Sequence, residues 1–189
     1  MAKILENKTL EIIEGRHPVV ETQMKLSENS FISNDCILNK DDFLWLITGP
    51  NMAGKSTYLR QNALIVIMAQ AGLWVPCKNM NFFPYKKIFT RILGNDDLFK
   101  GLSTFAVEMC ELRTILNHSD QNSLIIGDEV CSGTESNSAK SIFTAAIEWL
   151  HNKNSSFIFA THLHKLNEIN LIKDFDNIRF LFKKMLFIT

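Results

Sequence analysis

The sequence lacks three features that would each have pointed to a class of protein. It has no excess of one charge, because 20 Lys and Arg residues balance 20 Asp and Glu residues, so we expect no basic surface that grips a nucleic-acid backbone. Its four cysteines include no Cys-x-x-Cys pair, which argues against a zinc site or a disulfide framework and favours a reducing, intracellular location. Its most apolar stretch, 63–71, is too short to cross a membrane, and the N-terminal residues do not resemble a secretory signal.

What is present is an ordinary globular composition with alternating strand and helix patterns. The 189 residues are 46% hydrophobic and 21% charged, which suits one soluble domain spanning 1–189. Because apolar strands alternate with helices, we predict an α/β fold with a mostly parallel sheet covered by helices on both faces, preceded by short N-terminal antiparallel strands. The predicted strands lie at 9–13, 18–22, 43–47, 87–93, 123–127 and 157–160. The predicted helices begin near residues 55, 104 and 138, and 82–84 is expected to be extended or irregular.

The rest of the chain is organised around the stretch 44–57. It contains the pattern Gly-x-x-x-x-Gly-Lys-Ser, formed by Gly49, Gly54, Lys55 and Ser56, between an apolar strand and a helix. In this context the pattern predicts a phosphate-binding loop, in which backbone N–H groups and the helix N-terminus face an anion. Lys55 would reach the β- and γ-phosphates, and the Ser56 hydroxyl would bind Mg²⁺. The alternative is a chance glycine-rich turn, which the flanking strand and helix and a second motif argue against.

The second motif is Asp128-Glu129, which follows the apolar strand at 123–127. Because parallel strands bring their carboxyl ends to one edge of a sheet, Asp128 is expected near the Mg²⁺ held by Ser56. Glu129 would orient or deprotonate the attacking water. His162, two residues after another buried strand, would hydrogen-bond the γ-phosphate or that water. The alternative for Asp128 and Glu129 is that they are ordinary acidic residues at the end of a strand. His17, beside a proline, is predicted to be a local hydrogen-bonding residue rather than a ligand.

Several segments together resemble the ATPase domain of the MutS family of DNA mismatch-repair proteins. They are 15–21 (Gly-Arg-His-Pro-Val-Val-Glu), 31–35 (Phe-Ile-Ser-Asn-Asp), 48–61, 88–92, 103–109 (Ser-Thr-Phe-Ala-Val-Glu-Met), 128–129 with 133–134, and 159–162 (Phe-Ala-Thr-His). The resemblance runs through nearly the whole chain in the family's order. It implies a P-loop ATPase of the ABC type that hydrolyses ATP in composite sites formed with a second MutS-like protomer. Mismatched DNA would be held by domains absent from this chain, and no membrane is involved.

The resemblance also implies roles for individual residues. Phe31 would stack on the adenine, where the alternative is plain core packing, and Asn51 would contact the nucleotide. Ser103 would be offered in trans to the γ-phosphate of the partner's site, and it could also be a helix N-cap. The predicted nucleotide-binding residues are Phe31, Gly49, Pro50, Asn51, Met52, Ala53, Gly54, Lys55, Ser56, Thr57 and Ser103. The predicted Mg²⁺ ligands are Ser56 and Asp128, and the predicted catalytic residues are Lys55, Glu129 and His162.

The sequence departs from the bacterial family pattern after Asp128-Glu129. Bacterial repair enzymes usually carry Ile-Gly-Arg-Gly-Thr-Ser there, whereas this chain has Val-Cys-Ser-Gly-Thr-Glu at 130–135. Ser132 therefore replaces the family's Arg, which puts any interface role of that Arg in doubt. The form found here resembles the branch of large viruses and some organelles. The match fades beyond residue 177, where a further strand and dimerisation helices would be expected, so we predict a fragment.

Three functions compete at this point. The first is an ATPase that gates a DNA clamp in mismatch repair, by favouring one arrangement of a dimer. The second is an ATP-gated dimerisation module with little or no turnover. The third, the ATPase of an ABC transporter, predicts Leu-Ser-Gly-Gly-Gln before the Asp-Glu strand. The chain has Gly-Leu-Ser-Thr-Phe at 101–105 instead, which argues against a transporter.

Overall fold

The strands of the chain form two sheets, seen in a computed structural model that describes residues 2–50, 53–92, 104–131, 135–162, 175 and 177–182. The small mixed sheet has the order β1-β5-β2-β3 and is built from Lys3–Ile4 (β1), Leu10–Gly15 (β2), Asn34–Leu38 (β3) and Asn79–Phe82 (β5). In it, β2 is antiparallel to both β3 and β5. The second sheet is parallel throughout, with the order β6-β7-β8-β4-β9. Its strands are Leu44–Thr48 (β4), Lys87–Arg91 (β6), Ser123–Asp128 (β7), Ser156–Ala160 (β8) and Ile178–Phe182 (β9).

Within the described residues, four helices accompany these strands: Pro18–Leu26 (α1), Lys55–Gln70 (α2), Thr104–His118 (α3) and Ser136–Asn152 (α4). The central strands of the parallel sheet are buried on both faces, because side chains alternate between two cores. Along β7, Leu124 and Ile126 pack with α2 and the mixed sheet, while Ile125 packs with α3 and α4. The predicted α/β fold, with a parallel sheet covered on both faces, is thus confirmed.

Most predicted elements are confirmed, and the helix predicted to begin near residue 55 begins at Lys55. The prediction of a strand at 18–22 is wrong, because these residues belong to α1. Pro18 stands at the start of this helix, where its missing N–H leaves nothing unsatisfied. His17 caps the helix, with Nδ1 accepting a hydrogen bond from the Val20 N–H at 3.3 Å. Burial, and then the charge of Arg60, lowers the pKa of His17, which favours the neutral ring that such a cap requires.

The segment predicted to be extended or irregular, 82–84, begins with an extended residue. Phe82 ends β5, which pairs with both β1 and β2. Two asparagines in four residues gave this strand a weak signal, and its pairing depends on distant parts of the chain. The expectation of a further strand beyond residue 177 is met by β9, which pairs with β4. Among the helices that the structure describes, none is both long and apolar enough to traverse a lipid bilayer.

Candidate active site at the carboxyl ends of the parallel strands

Three of the loops predicted to act together leave the parallel sheet at one level. Ile47 of β4 pairs with Ala160 of β8, and Ala160 pairs in turn with Asp128 of β7. Because neighbouring strands lie about 4.8 Å apart, the Cα atom of Asp128 is about 10 Å from that of Ile47. The loop after β4, the Asp-Glu pair after β7 and His162 after β8 therefore share one edge of the sheet, as predicted.

The loop between β4 and α2 holds its lysine against its own backbone. Gly54 has a φ of 80°, a left-handed conformation that glycine adopts without strain, and it has no side chain to cap α2. Lys55 is only 5% exposed, and its ammonium donates to the carbonyl oxygens of Gly49 at 2.9 Å and Pro50 at 3.0 Å. The result is a positive charge and a helix N-terminus side by side, an arrangement that suits an anion.

Asp128 presents a buried carboxylate oxygen that receives no hydrogen bond from the described part of the chain. Its side chain is 3% exposed, and the Oδ1 atom has no hydrogen-bond partner among the described residues. An unpartnered buried carboxylate oxygen is costly, so this environment suits a cation. The described part of the chain holds no group of three or more His, Cys, Asp or Glu residues able to bind a metal ion. A cation at Asp128 would therefore complete its coordination with hydroxyl, water or ligand oxygens.

Glu129 and His162 lie in direct contact. The Nε2 atom of His162 is 2.6 Å from Oε1 of Glu129, and both side chains are partly exposed. The backbone of Glu129 is left-handed, with a φ of 52°, and its N–H donates to the Ala160 carbonyl at 2.9 Å. The sequence predicted that both side chains reach this edge, and the structure adds that they hydrogen-bond to each other. A carboxylate held by an imidazole at a partly exposed edge can accept a proton from water.

The structure brings one further residue to this edge that sequence reasoning missed. Glu108 of α3 is 3% exposed, and its Oε1 atom accepts a hydrogen bond from the Cys131 N–H at 2.6 Å. Burial, and then the charge of Glu108, raises the pKa of the Cys131 thiol to about 12. A signal was available, because Glu108 falls between Phe105 and Leu112 on the apolar stripe of its helix.

The remaining predicted residues stand as follows. Ala53 is buried and Pro50 is exposed. Ser56 and Thr57 lie in the first turn of α2 and are half-buried. Phe31 is half-buried in the segment before β3. The strand β3 itself is linked to α2, because the Tyr58 hydroxyl donates to the Asp35 carbonyl at 2.7 Å. Three residues lie outside the described residues: Asn51, Met52 and Ser103.

Comparison with known proteins gives a consistent result. The family model of MutS domain V matches residues 45–185. The DNA mismatch repair protein MutS of Rickettsia prowazekii (strain Madrid E) is 49% identical over 168 residues, which is 88% of this chain and 18% of that protein. The protein of the same name from Rickettsia canadensis (strain McKiel) is 52% identical over 156 residues, 82% of this chain and again 18% of that protein. The chain thus spans less than a fifth of the length of these relatives.

Proposed function

The chain belongs to the MutS family, and we propose that it is the ATPase domain of a DNA mismatch-repair protein, with a P-loop of the ABC type. The observation that carries this proposal is the carboxyl edge of the parallel sheet. The strands that precede these groups end at one level. The groups are the Glu129–His162 pair, the Asp128 oxygen that has no donor among the described residues, and the Lys55 ammonium. A base, a cation ligand and a phosphate ligand are the three groups that hydrolysis of a phosphoanhydride needs.

ATP would bind with its phosphates in the loop from Gly49 to Thr57. Lys55 would exchange its two carbonyl contacts for the more strongly charged β- and γ-phosphate oxygens. Mg²⁺ fits the Asp128 environment, because the buried Oδ1 atom has no donor among the described residues, and Ser56 would supply a hydroxyl ligand. When bound, Mg²⁺ neutralises charge on the phosphates.

In the proposed mechanism, Glu129 orients the attacking water. His162 holds Oε1 of Glu129 through its Nε2 atom at 2.6 Å, so that the other carboxylate oxygen, Oε2, accepts a proton from the water. The backbone of Glu129 is left-handed, and its N–H is anchored on the Ala160 carbonyl, so surrounding contacts hold the position from which this side chain extends. Glu129 is thus the general base, and His162 positions it through Nε2. The other ring nitrogen, Nδ1, would be the atom of His162 that contacts the water.

The remaining assignments come from the family. Phe31 would stack on the adenine, Asn51 would contact the nucleotide, and Ser103 would reach the γ-phosphate in the site of a second protomer. ATP binding would then shift the population of dimer arrangements that gate a clamp on mismatched DNA. Contacts with DNA are assigned to parts of a longer protein, since this chain has equal numbers of basic and acidic residues. Membership of the branch found in large viruses and organelles stays a prediction.

The test is the solution mass of a Glu129→Gln variant, measured by light scattering with and without Mg-ATP, together with ATP turnover. The variant keeps the shape of the side chain but loses its basicity, so ATP should bind while turnover falls at least about 100-fold. Trapped ATP should then convert monomer to dimer. Lys55→Ala is the matched negative control, which should neither bind ATP nor dimerise.

Each outcome has a distinct meaning. No ATP binding by the unaltered chain would refute the proposed site, and undiminished turnover in the Glu129→Gln variant would refute the role of Glu129 as base. A variant that binds ATP and stays monomeric would show that the dimer needs residues outside this chain. ATP-dependent dimers without turnover in the unaltered chain would favour the second candidate, an ATP-gated dimerisation module.

A further inference from the structure

The turn that follows β7 is anchored from two sides. The N–H of Glu129 donates to the Ala160 carbonyl of β8 at 2.9 Å, and the N–H of Cys131 donates to the Glu108 carboxylate of α3 at 2.6 Å. The first anchor lies within the sheet and the second comes from a helix. Both anchors flank the point at which the Glu129 side chain leaves the backbone.

This turn needs external anchors because its backbone is strained. Glu129 has a φ of 52° and Cys131 a φ of 66°, so two residues with side chains adopt left-handed conformations within three positions. Such conformations are unfavourable for any residue with a Cβ atom, and they persist when surrounding contacts impose them. Cys131 also has no exposed surface, so in the folded chain its N–H depends on Glu108 rather than on solvent for a hydrogen bond.

We propose that Glu108 is a positioning residue for the Glu129–His162 pair, acting through the backbone N–H of Cys131. The inference rests on the proposed function, because it assigns Glu108 to the reaction in which Glu129 is the base. A carboxylate accepts a shorter and stronger hydrogen bond from an amide than a neutral oxygen does. Glu108 therefore fixes where the turn ends, and with it the direction of the Glu129 side chain.

A neighbouring glutamate on the same helix provides a matched control. Glu111 lies one turn beyond Glu108, and its Oε2 atom is 2.7 Å from Nε of Arg91 on β6. This half-exposed ion pair links the same helix to the same sheet, at a strand other than β7 and its described turn residues. If Glu108 merely helped to hold α3 in place, removal of either glutamate would have similar consequences. If Glu108 positions the turn, the two variants will differ.

The experiment compares Glu108→Ala, Glu108→Gln and Glu111→Gln in the 189-residue chain. It measures kcat and KM for ATP, the affinity for ATP, and amide hydrogen exchange across residues 128–131. In Glu108→Ala, we expect exchange in this turn to rise at least about tenfold and kcat to fall roughly 10- to 100-fold, because small misplacements of a catalytic group have effects of this size. ATP affinity should stay within about threefold of the unaltered chain, since the hydrogen bond of Glu108 goes to the turn after β7 and not to the described residues of the Lys55 loop.

The conservative variant separates positioning from folding. Glu108→Gln keeps an oxygen that can accept from Cys131, so it should recover most of the kcat and of the exchange protection lost in Glu108→Ala. It also supplies the comparison if Glu108→Ala proves too unstable to purify, in which case a partial loss of protection and of kcat is expected. Glu111→Gln should match the unaltered chain in kcat and in exchange at 128–131.

Unchanged exchange at 128–131 in both Glu108 variants would overturn the inference, and so would an unchanged kcat with altered exchange. Equal losses in the Glu108 and Glu111 variants would also overturn it, in favour of a general role in holding α3. Absence of ATP hydrolysis by the unaltered chain would count against the proposed function instead. The exchange comparison would then still decide whether Glu108 holds the turn.

Discussion

The two edges of the parallel sheet treat their aspartates in opposite ways. At the amino edge, Oδ1 of Asp120 accepts from the Asn122 N–H and the Ser123 hydroxyl, both at 2.9 Å, and Oδ2 accepts from Lys87 at 2.7 Å. At the carboxyl edge, Oδ1 of Asp128 is buried without a donor among the described residues. One carboxylate is saturated by its neighbours, while the other has capacity left for a ligand.

The backbone shows the same contrast. In the turn between β3 and β4, at the amino edge, the Asn39 side chain accepts from the N–H groups of Asp41 and Asp42, at 2.8 and 2.9 Å. This is a local solution that a turn residue provides for itself. At the carboxyl edge, Glu129 and Cys131 adopt left-handed conformations that distant residues hold. The amino edge also has one left-handed residue, Asn154 before β8, but asparagine tolerates that conformation better than most residues do. At the carboxyl edge a glutamate and a cysteine adopt it within three positions, next to the residues for which the function is proposed.

The largest expected effect tests this contrast with two lysines. Lys55 donates to two main-chain carbonyls at the carboxyl edge, and Lys153 donates to the carbonyls of Leu116 and Ser119 at the amino edge, at 2.7 and 3.2 Å. Each alanine variant loses similar hydrogen bonds, so both should lose about 1 kcal/mol of unfolding free energy. Only Lys55→Ala should weaken ATP binding, by at least roughly 100-fold or about 2.7 kcal/mol.

Titration with a fluorescent ATP analogue in the presence of Mg²⁺ measures the ATP affinity of both variants. Urea unfolding measures their unfolding free energies. Equal ATP affinity in the two variants would remove Lys55 from the proposed site. A loss of affinity in Lys153→Ala as large as that in Lys55→Ala would show that general destabilisation, rather than the position of the lysine, controls binding.

The second prediction compares two glycines near opposite edges. A Cβ atom on Gly127, just before Asp128, would lie 2.6 Å from Phe159 Cδ1 and 2.7 Å from Val130 Cγ2. At Gly72, just beyond the end of α2, the same atom would meet nothing within 4 Å, but the φ of 75° disfavours a side chain. Gly127→Ala should therefore destabilise the chain by about 2–3 kcal/mol through overpacking. Gly72→Ala should cost about 1 kcal/mol through backbone strain alone.

Thermal unfolding without ligand ranks the two variants, and the Mg²⁺ dependence of ATP binding provides the second readout. Gly127→Ala should also weaken that dependence, because Asp128 is its direct neighbour and must shift with it. If Gly72→Ala proved the more damaging of the two, the close packing at the carboxyl edge would be more adaptable than the distances indicate.

The sequence predicts the parts of the fold that depend on local patterns. The apolar runs at 43–47, 123–127 and 157–160 have the length of buried strands, which they are, and α2 follows from the pattern after Gly54. The helix α1 was missed because two valines suggested a strand. Pro18 and the His17 cap in fact decide the conformation there.

The same division applies to the candidate site. The order of residues along the chain was enough to bring Glu129 and His162 to one edge, because that placement follows from parallel strands. That order could not predict the contact between Glu129 and His162 or the left-handed φ values after β7. It also could not predict the approach of Glu108 to Cys131, because that contact depends on how α3 packs and joins residues 23 positions apart. Local chemistry is therefore readable from the sequence, whereas support from distant elements is not.

The smallest expected effect returns to the two aspartates. The hydrogen bond from Lys87, followed by those from Ser123 and Asn122, lowers the pKa of Asp120 to about 2. A carboxyl group with a lowered pKa stabilises the folded state above its unfolded pKa of about 3.9, and that contribution is lost as the pH falls towards 2. Because the Asp120 side chain is 40% exposed, solvent screening limits the contribution to about 1 kcal/mol.

Asp120→Asn should thus lower the unfolding free energy at pH 7 by about 1 kcal/mol and flatten its decline between pH 4 and pH 2. Asp128→Asn should leave that free energy unchanged or raise it by up to about 1 kcal/mol, since it removes a buried charge whose Oδ1 atom has no donor among the described residues. Urea unfolding from pH 2 to pH 7 compares the two. Equal losses at pH 7 would mean that Asp128 is as well satisfied as Asp120, and the cation site would lose its structural basis. Opposite signs would show that this edge of the sheet gives up stability to keep a carboxylate ready for a ligand.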